Sequence, residues 1–517
     1  MTSEEKHGGV SRRFVLAAIA ILFAGVIAYA NSFGNEMFWD DNDGILQNTY
    51  VHEFQIGKFF SENLIAGAGF QSDYWRPILL ITYALEWKLW GPAAFGYHAT
   101  NTLIHIANAI LVFFLLSKLF HKKSSVPILS AFLFLLHPLQ TEAVTYVSGR
   151  GDGLSFFFTL AGLIFYALYK EKNGKKLFPY FLAFIAFAFA LLSKERSVAF
   201  PGLLLLLEIW PFLKGGKIPT GTEIKDALIR MLPFALLAGI FLFLRGTVLN
   251  FHDTFNIYNA ATYYTEHISA RLFTFLSVIP EYLSLVTAPI TLYMERSENI
   301  RVAASISDNG VLLGTFLSIA VFGYATYRLR KAPGYLFAVL FFSVAIFPAS
   351  GILVPVAGFM QEHYMYIPII GVGIFLGTLF DEVREKKSVP KTMRYAGAGV
   401  LALWIVLLGV RTAMRNADWR DAVTFYEQTL SYAPTSMRVW NNLGMAYGDR
   451  GVHEKALDAY ARAIALNPAN PIPYHNSGNT YEALGDSEKA REYWEAAIRI
   501  NPAFLPSRVK LGTGQPL

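Results

Sequence analysis

The stretch Phe38-Trp39-Asp40-Asp41-Asn42-Asp43 places three carboxylates within four residues. Charges this close repel one another, which costs stability unless a cation or an incoming proton compensates. Phe38, Trp39, Ile45 and Leu46 flank the run, which argues against an ordinary solvated loop. Asp40, Asp41 and Asp43 therefore suit general-base work or the binding of a hydroxylated substrate. A second polar group is His137-Pro138-Leu139-Gln140-Thr141-Glu142, continuing to Gly149-Arg150-Gly151-Asp152. Ionisable residues at an apolar boundary suggest a lined cavity, in which Arg150 would hold a phosphate and Asp152 would orient Arg150. A third group, Ser193-Lys194-Glu195-Arg196, lies between two apolar runs. An anionic lipid headgroup would explain Lys194 and Arg196; mutual pairing of Lys194 with Glu195 in a short turn is the alternative. Trp75-Arg76 and Glu362-His363-Tyr364 stand at the ends of other apolar runs and are candidates for the same cavity.

Other chemistries have no residues to work with. The chain has no Cys, so thiol catalysis, disulfides and Cys-type zinc sites are out. It contains no GxxxxGK[ST], HExxH or EF-hand pattern. No metal and no cofactor is expected, and a nucleotide-activated substrate has no binding element here.

The elements that must position these groups are membrane spans. Of 517 residues, 54% are hydrophobic and 16% charged, and the mean hydropathy is +0.37. That is too apolar for a soluble globule of this length, and 43 Phe, 27 Tyr and 9 Trp exclude disorder. Apolar runs of spanning length occupy roughly 14–30, 98–119, 126–144, 153–170, 178–193, 197–213, 228–245, 310–328, 335–355, 363–380 and 395–411. The expected fold is all-α: a polytopic membrane protein of about eleven transmembrane helices over 1–411, followed by a helical repeat domain over 412–517. The apolar segment 77–90 carries Glu86, Lys88 and two Trp, which suits a helix lying in the membrane interface beneath a long outer loop, 31–97. Segment 268–290 contains Pro280 and Pro289 and is expected to be re-entrant or interfacial.

Basic clusters orient the chain. Arg12-Arg13, Lys118 to Lys123, Lys170 to Lys176, Lys214 to Lys225, Arg328 to Lys331 and Arg384 to Lys391 read as cytoplasmic. The formal excess of +6 belongs to these loops rather than to a nucleic-acid surface. Ser11-Arg12-Arg13-Phe14 resembles a twin-arginine signal, but the long apolar run after it favours an uncleaved anchor. The expected location is a bacterial inner membrane, with a cytoplasmic N-terminus and a periplasmic repeat domain. Along 98–108, His98, Asn101, His105 and Asn108 share one helix face, a stripe best read as interhelical hydrogen bonding.

The tail repeats with a period of 34. Trp440, Leu443, Gly444, Tyr447, Ala456, Tyr460, Ala463 and Pro468 recur as Tyr474, Ser477, Gly478, Tyr481, Ala490, Trp494, Ala497 and Pro502. This is the tetratricopeptide pattern, in which small residues let paired helices approach and aromatics fill the gaps. These residues are packing; any partner would meet polar groove residues, with Asn441, Asn442, His475, Asn476 and Asn479 as candidates.

WDDNDGILQN, WRP, GYHATNTLIHIANAIL, HPLQTEAVTYVSGRGD and LLSKERSVAFPG, in that order and followed by repeats, resemble the transmembrane and tetratricopeptide-repeat O-mannosyltransferases. The resemblance implies a GT-C-type glycosyltransferase that moves a sugar, mannose by analogy, from a polyprenyl-phosphate carrier to protein Ser/Thr hydroxyls at the non-cytoplasmic face. It further implies that the catalytic aspartate is Asp40 or Asp41, with Asp40 preferred, and that Arg150, Lys194 or Arg196 holds the carrier phosphate. Arg76, Asp43, His137, Glu142, Asp152, Glu195 and His363 would line the cavity, and the repeats would receive the acceptor polypeptide. The rival reading is a non-catalytic membrane scaffold that recruits envelope proteins through its repeats.

Overall fold

The computed structural model describes residues 12–171, 174, 176–249, 262–356 and 358–513. Ser11, Lys172 and Lys175, used above for orientation, lie outside the described residues. Among these the secondary structure is helical throughout, and the chain separates into two compact units. The first comprises residues up to Leu292 together with Val302–Ala417; the second comprises Tyr293–Arg301 and everything from Asp418 onward. The boundary therefore falls at 417/418 rather than 411/412, because the helix Lys391–Asp418 runs on without a break. The short segment 293–301, which nothing in the sequence separates from its neighbours, joins the second unit.

The first unit is an apolar helical bundle. Eight described helices are long and apolar enough to cross a membrane, and a ninth results if the bent pair Val126–Leu136 and Pro138–Val144 counts as one. Leu177–Ser193 and Gly334–Ala349 are shorter apolar helices. Outward-facing Leu, Ile, Val and Phe side chains on Gly221–Gly246 and Asn309–Tyr327 are exposed, as a lipid-facing surface requires.

Polar contacts sort the bundle into two ends. At one end Arg13 donates to Ser124 O (3.4 Å), Lys118 meets Glu171 (2.8 Å), Arg328 meets Glu382 (2.5 Å) and Arg384 donates to Lys123 O (2.7 Å). This basic end gathers the clusters read as cytoplasmic. Loop 31–97, the break at His137, the turn at Lys194 and Glu362–Met365 gather at the opposite end.

Two helices lie across that opposite end instead of running between the two. Pro77–Trp90 begins at Arg76 on Glu195, sends the Tyr83 hydroxyl to Val147 O (3.1 Å) and pairs Glu86 with Arg150, all at this end. Ile268–Thr287 is a continuous helix with Pro280 inside it, so the prolines do not make a re-entrant break. Its length would allow a crossing, yet Arg271 Nε donates to Ile352 O (3.0 Å) near its start and Val286 O meets His137 Nε2 (3.0 Å) near its end. Both contacts are at the same end of the bundle, so the helix lies along it.

The second unit stacks helix pairs: Ala422–Tyr432, Met437–Asp449, His453–Leu466, Pro471–Ala483, Ser487–Ile500 and Leu505–Lys510. The period of 34 has a direct physical cause. A Cβ on Gly444 would sit 2.5 Å from the Tyr460 ring, and one on Gly478 would sit 2.5 Å from the Trp494 ring. Each repeat thus seats one aromatic ring against a glycine, and any side chain there would push the pair apart.

Candidate active site

The three aspartates of loop 38–43 have different surroundings. Trp39 adopts a left-handed backbone (φ 59°), a costly conformation for a bulky residue. The surrounding turn fixes it: Asp41 N donates to Phe38 O (3.2 Å), and Asp40 N donates to the Tyr146 hydroxyl (2.9 Å). Asp41 is buried and accepts from Ser148 N (2.8 Å), Ser148 Oγ (2.5 Å) and Phe38 N (3.3 Å). Burial outweighs these bonds and pushes its pKa up to about 7. Asp43 is half-buried and raised to about 6 by burial and by the charge of Asp40. Asp40 is the exposed member of the three. Asp41 is therefore a tether between loop 38–43 and the turn at Ser148, whereas the Asp40 side chain lies at the surface.

Asp40 shares its surroundings with a charged cluster. The Tyr74 hydroxyl, whose pKa burial raises, is acted on by the charges of Asp40, Arg76, Glu195 and Arg196 together. Arg76 grips Glu195 with two hydrogen bonds, Nε at 3.1 Å and Nη2 at 2.8 Å. Lys194 donates to Asp152 (2.6 Å), and Arg196 lies farther from the same carboxylate at 3.7 Å. The turn carrying Lys194, Glu195 and Arg196 is a 3₁₀ segment between Leu177–Ser193 and Phe200–Gly215, so adjacent residues point to different partners. Lys194 and Glu195 do not pair with each other.

Arg196 is held mostly by neutral groups. Its Nη2 lies 3.1 Å from His363 Nε2, and its guanidinium sits 4.0 Å over the Tyr364 ring. An Arg can only donate, so Nε2 accepts and the ring proton resides on Nδ1. That proton points at Glu142 Oε1 (2.5 Å), while His363 N donates to Glu142 Oε2 (2.9 Å). Burial and the Arg196 charge push the His363 pKa well below its ordinary value, consistent with a neutral imidazole. Arg76 has Glu195 and Lys194 has Asp152, whereas Arg196 pairs with Asp152 only at 3.7 Å and Arg245 Nη2 donates to the Asp73 carbonyl (2.6 Å). With its side chain 22% exposed, against 7% for Lys194, Arg196 is the more accessible of the two cations on Asp152.

Two expectations are corrected. Arg150 does not face a phosphate: it is 1% exposed, paired with Glu86, and donates to Asn101 Oδ1 (2.6 Å), Thr82 Oγ1 (3.3 Å) and Tyr97 O (3.1 Å). Its orienting partner is Glu86, not Asp152. His137 does not line the cavity; it closes a helix end. Pro138 forces the residue before it into extended backbone, and His137 Nδ1 then accepts from Leu139 N (3.2 Å) while Nε2 meets Val286 O. The stripe on 94–119 is interhelical packing: Asn101 Nδ2 lies 3.2 Å from Val144, Tyr146 and Val147 carbonyls, and His105 bonds the Tyr366 hydroxyl (2.9 Å). Sequence reading missed Glu86 as the ion-pair partner and Tyr74 as a site residue, although Tyr74 adjoins Trp75-Arg76. Among the described residues no three His, Asp or Glu side chains converge as metal ligands.

In the repeat unit the candidate groove residues form a ladder. Asn476 Nδ2 donates to Asn441 Oδ1 (3.0 Å), Asn441 Nδ2 lies 3.4 Å from Asn442 Oδ1, and Asn479 Nδ2 meets His475 Nε2 (3.1 Å). Asn479 Oδ1 also accepts from Trp494 Nε1 (3.1 Å), and His475 Nδ1 meets Ser507 Oγ (2.9 Å). Asn441 is buried and the other four are half-buried, so much of their hydrogen-bonding capacity is spent within the array.

Comparison with known proteins identifies the repeats. Residues 446–485 match a family model described as TPR repeat, and 471–504 match one described as Tetratricopeptide repeat. The chain is 26% identical over 489 residues to Protein O-mannosyl-transferase TMTC3 of Mus musculus, covering 89% of this chain and 52% of that protein. Protein O-mannosyl-transferase F38B6.6 of Caenorhabditis elegans is 24% identical, over 86% of this chain and 62% of its own length. The chain thus spans about half to two thirds of the length of these curated relatives. Among solved structures, the archaeal oligosaccharyltransferase AglB from Archaeoglobus fulgidus aligns with a TM-score of 0.45 at 12% identity, covering 84% of this chain and 59% of that one. ArnT from Cupriavidus metallidurans aligns at 0.38 and 13%, covering 94% and 78%.

Proposed function

We propose that this multi-pass membrane protein is a glycosyltransferase that moves a sugar, mannose, from a polyprenyl-phosphate carrier to Ser/Thr hydroxyls of protein. The observation that carries the reading is an exposed carboxylate, Asp40, sharing the end of an apolar bundle with Arg196, a half-buried cation whose carboxylate partner, Asp152, also takes Lys194 at the shorter distance. The names of the relatives, protein O-mannosyl-transferases, support the sugar and the acceptor class.

The chemistry follows from the charges. Asp40 accepts the proton of the acceptor hydroxyl as its oxygen attacks the anomeric carbon. The bond from that carbon to the carrier phosphate breaks, and its electron pair leaves on the phosphate oxygen. Arg196 donates to the phosphate, offsetting the charge that builds there, with the Lys194 ammonium nearby. A single displacement of this kind inverts the anomeric centre. Glu142 fixes the tautomer of His363, and His363 in turn fixes the aim of Arg196. The basic end faces the cytoplasm by the positive-inside rule, which puts Asp40 on the other face of a bacterial inner membrane. The repeat unit receives the acceptor polypeptide.

Membranes carrying wild type or Asp40→Asn, supplied with labelled polyprenyl-phosphate-mannose, test this reading by the label found in protein. Label in wild type that disappears with Asp40→Asn is the expected result. Label that persists in Asp40→Asn overturns the assignment of the base, and its absence in wild type favours the scaffold reading. A reporter fused after Leu517 should be active only outside the cytoplasm; a cytoplasmic reporter excludes the proposed acceptor role of the repeats.

A further inference from the structure

The basic end carries a groove that the proposed transferase reaction does not use. It lies between Ile369–Glu385 and the start of Lys391–Asp418, encloses about 490 Å³, and is walled by Leu376, Leu379 and Leu401. Arg384, Lys391 and Arg394 stand on its rim. Arg384 is engaged, with Asp381 at 3.0 Å and the Ser125 hydroxyl at 3.0 Å. Arg394 donates only to the carbonyls of Val389 (2.9 Å) and Lys386 (2.7 Å), which leave its charge in place. Lys391 is exposed, and no acidic residue occupies the first turn of this helix. Two positive charges thus border an apolar channel, and among the described residues no carboxylate is ion-paired with either.

Gly397 supplies a separate observation. It lines the groove inside a helix, where glycine costs up to about 1 kcal/mol relative to alanine. No protein atom lies within 4 Å of where its Cβ would be, so packing within the protein does not require glycine there. Gly397 is exposed, and the space beside it along the groove admits close approach by something outside the chain.

We infer that this groove binds one anionic phospholipid of the leaflet at the basic end, its phosphate between Lys391 and Arg394 and an acyl chain lying over Gly397. A lipid suits both features at once, since the rim offers charge at headgroup depth and the channel runs into the hydrocarbon.

Native mass spectrometry of the full chain, purified in detergent and given phosphatidylglycerol or phosphatidylcholine, tests the inference. Wild type should retain phosphatidylglycerol over phosphatidylcholine. The double variant Lys391→Gln/Arg394→Gln should weaken that retention about thirtyfold, at roughly fivefold per cation. Gly397→Leu keeps both charges, suits the helix and fills the channel, and it should displace the lipid without lowering thermal stability. Lys386→Gln/Lys387→Gln, which alters neighbouring loop charge outside the groove, should change little. Equal retention of the two lipids, or unchanged retention in Gly397→Leu, overturns the inference. So does preferential retention of undecaprenyl phosphate, which would make the occupant a carrier lipid.

Discussion

The two ends of the bundle bury charge to different extents. At the basic end Lys391 is exposed and Arg394 is tied only to backbone carbonyls, and a single buried carboxylate, Glu208, is shared by the part-exposed Lys170 and Arg230. At the other end Arg76, Asp152 and Lys194 are each more than nine-tenths buried, and hydrogen bonds connect them to named partners. Exposed pairs contribute little to stability, whereas a buried charge persists only when its partner is fixed. The contrast sets apart Arg196, a cation of that other end that borders a neutral imidazole and a ring and reaches Asp152 only at 3.7 Å.

The largest expected effect tests whether that end is catalytic. Asp40→Asn should lower sugar transfer by about a hundredfold to ten-thousandfold, the range for losing a general base, while thermal stability stays within error of wild type. Next comes the burial itself. Glu86→Gln strands Arg150 and should cost roughly 3–5 kcal/mol of stability, read as a large fall in Tm. The corresponding change at the basic end, Glu171→Gln opposite Lys118, should cost less than about 1 kcal/mol, because both side chains reach water. An equal loss at the two sites would break the comparison.

Arg196→Gln should raise KM for the lipid-linked donor by about tenfold to a hundredfold, the worth of a charge-assisted hydrogen bond, with a smaller change in Tm. His363→Gln should move KM in the same direction, and a larger fall in kcat than rise in KM would deny it a positioning role. The smallest effect concerns pH. The Asp41 carboxyl is raised from 3.8 to about 7 in the fold, so the folded protein keeps a proton that the unfolded chain gives up. Its contribution to stability is thus fully present below 3.8 and is lost as pH rises through about 7. Asp41→Asn should flatten the dependence of Tm on pH across that window, and an unchanged slope would assign the dependence to other groups.

Hydrophobic run length and repeat period can be read without coordinates, because each follows from the side chains of one segment. The apolar helices between 12 and 418 and the Gly444–Tyr460 and Gly478–Trp494 pairs were legible for that reason. The charged segments that gather at one end were legible too, since loop 38–43, the Lys194 turn and Glu362–Tyr364 all carry charge where apolar residues surround them. What sequence could not settle was which charge answers which. Arg150 and Asp152 are two residues apart, yet one pairs with Glu86 and the other with Lys194, because successive residues of a helix point about 100° apart. Asp40 and Asp41 are adjacent and chemically identical in isolation. Only the turn at Trp39 and the donors of Ser148 and Phe38 bury one and leave the other exposed. Composition thus determined that the chain lives in a membrane and that polar chemistry sits at its edge. Tertiary structure alone decided the partners, because an ion pair depends on distance through space and not on separation along the chain.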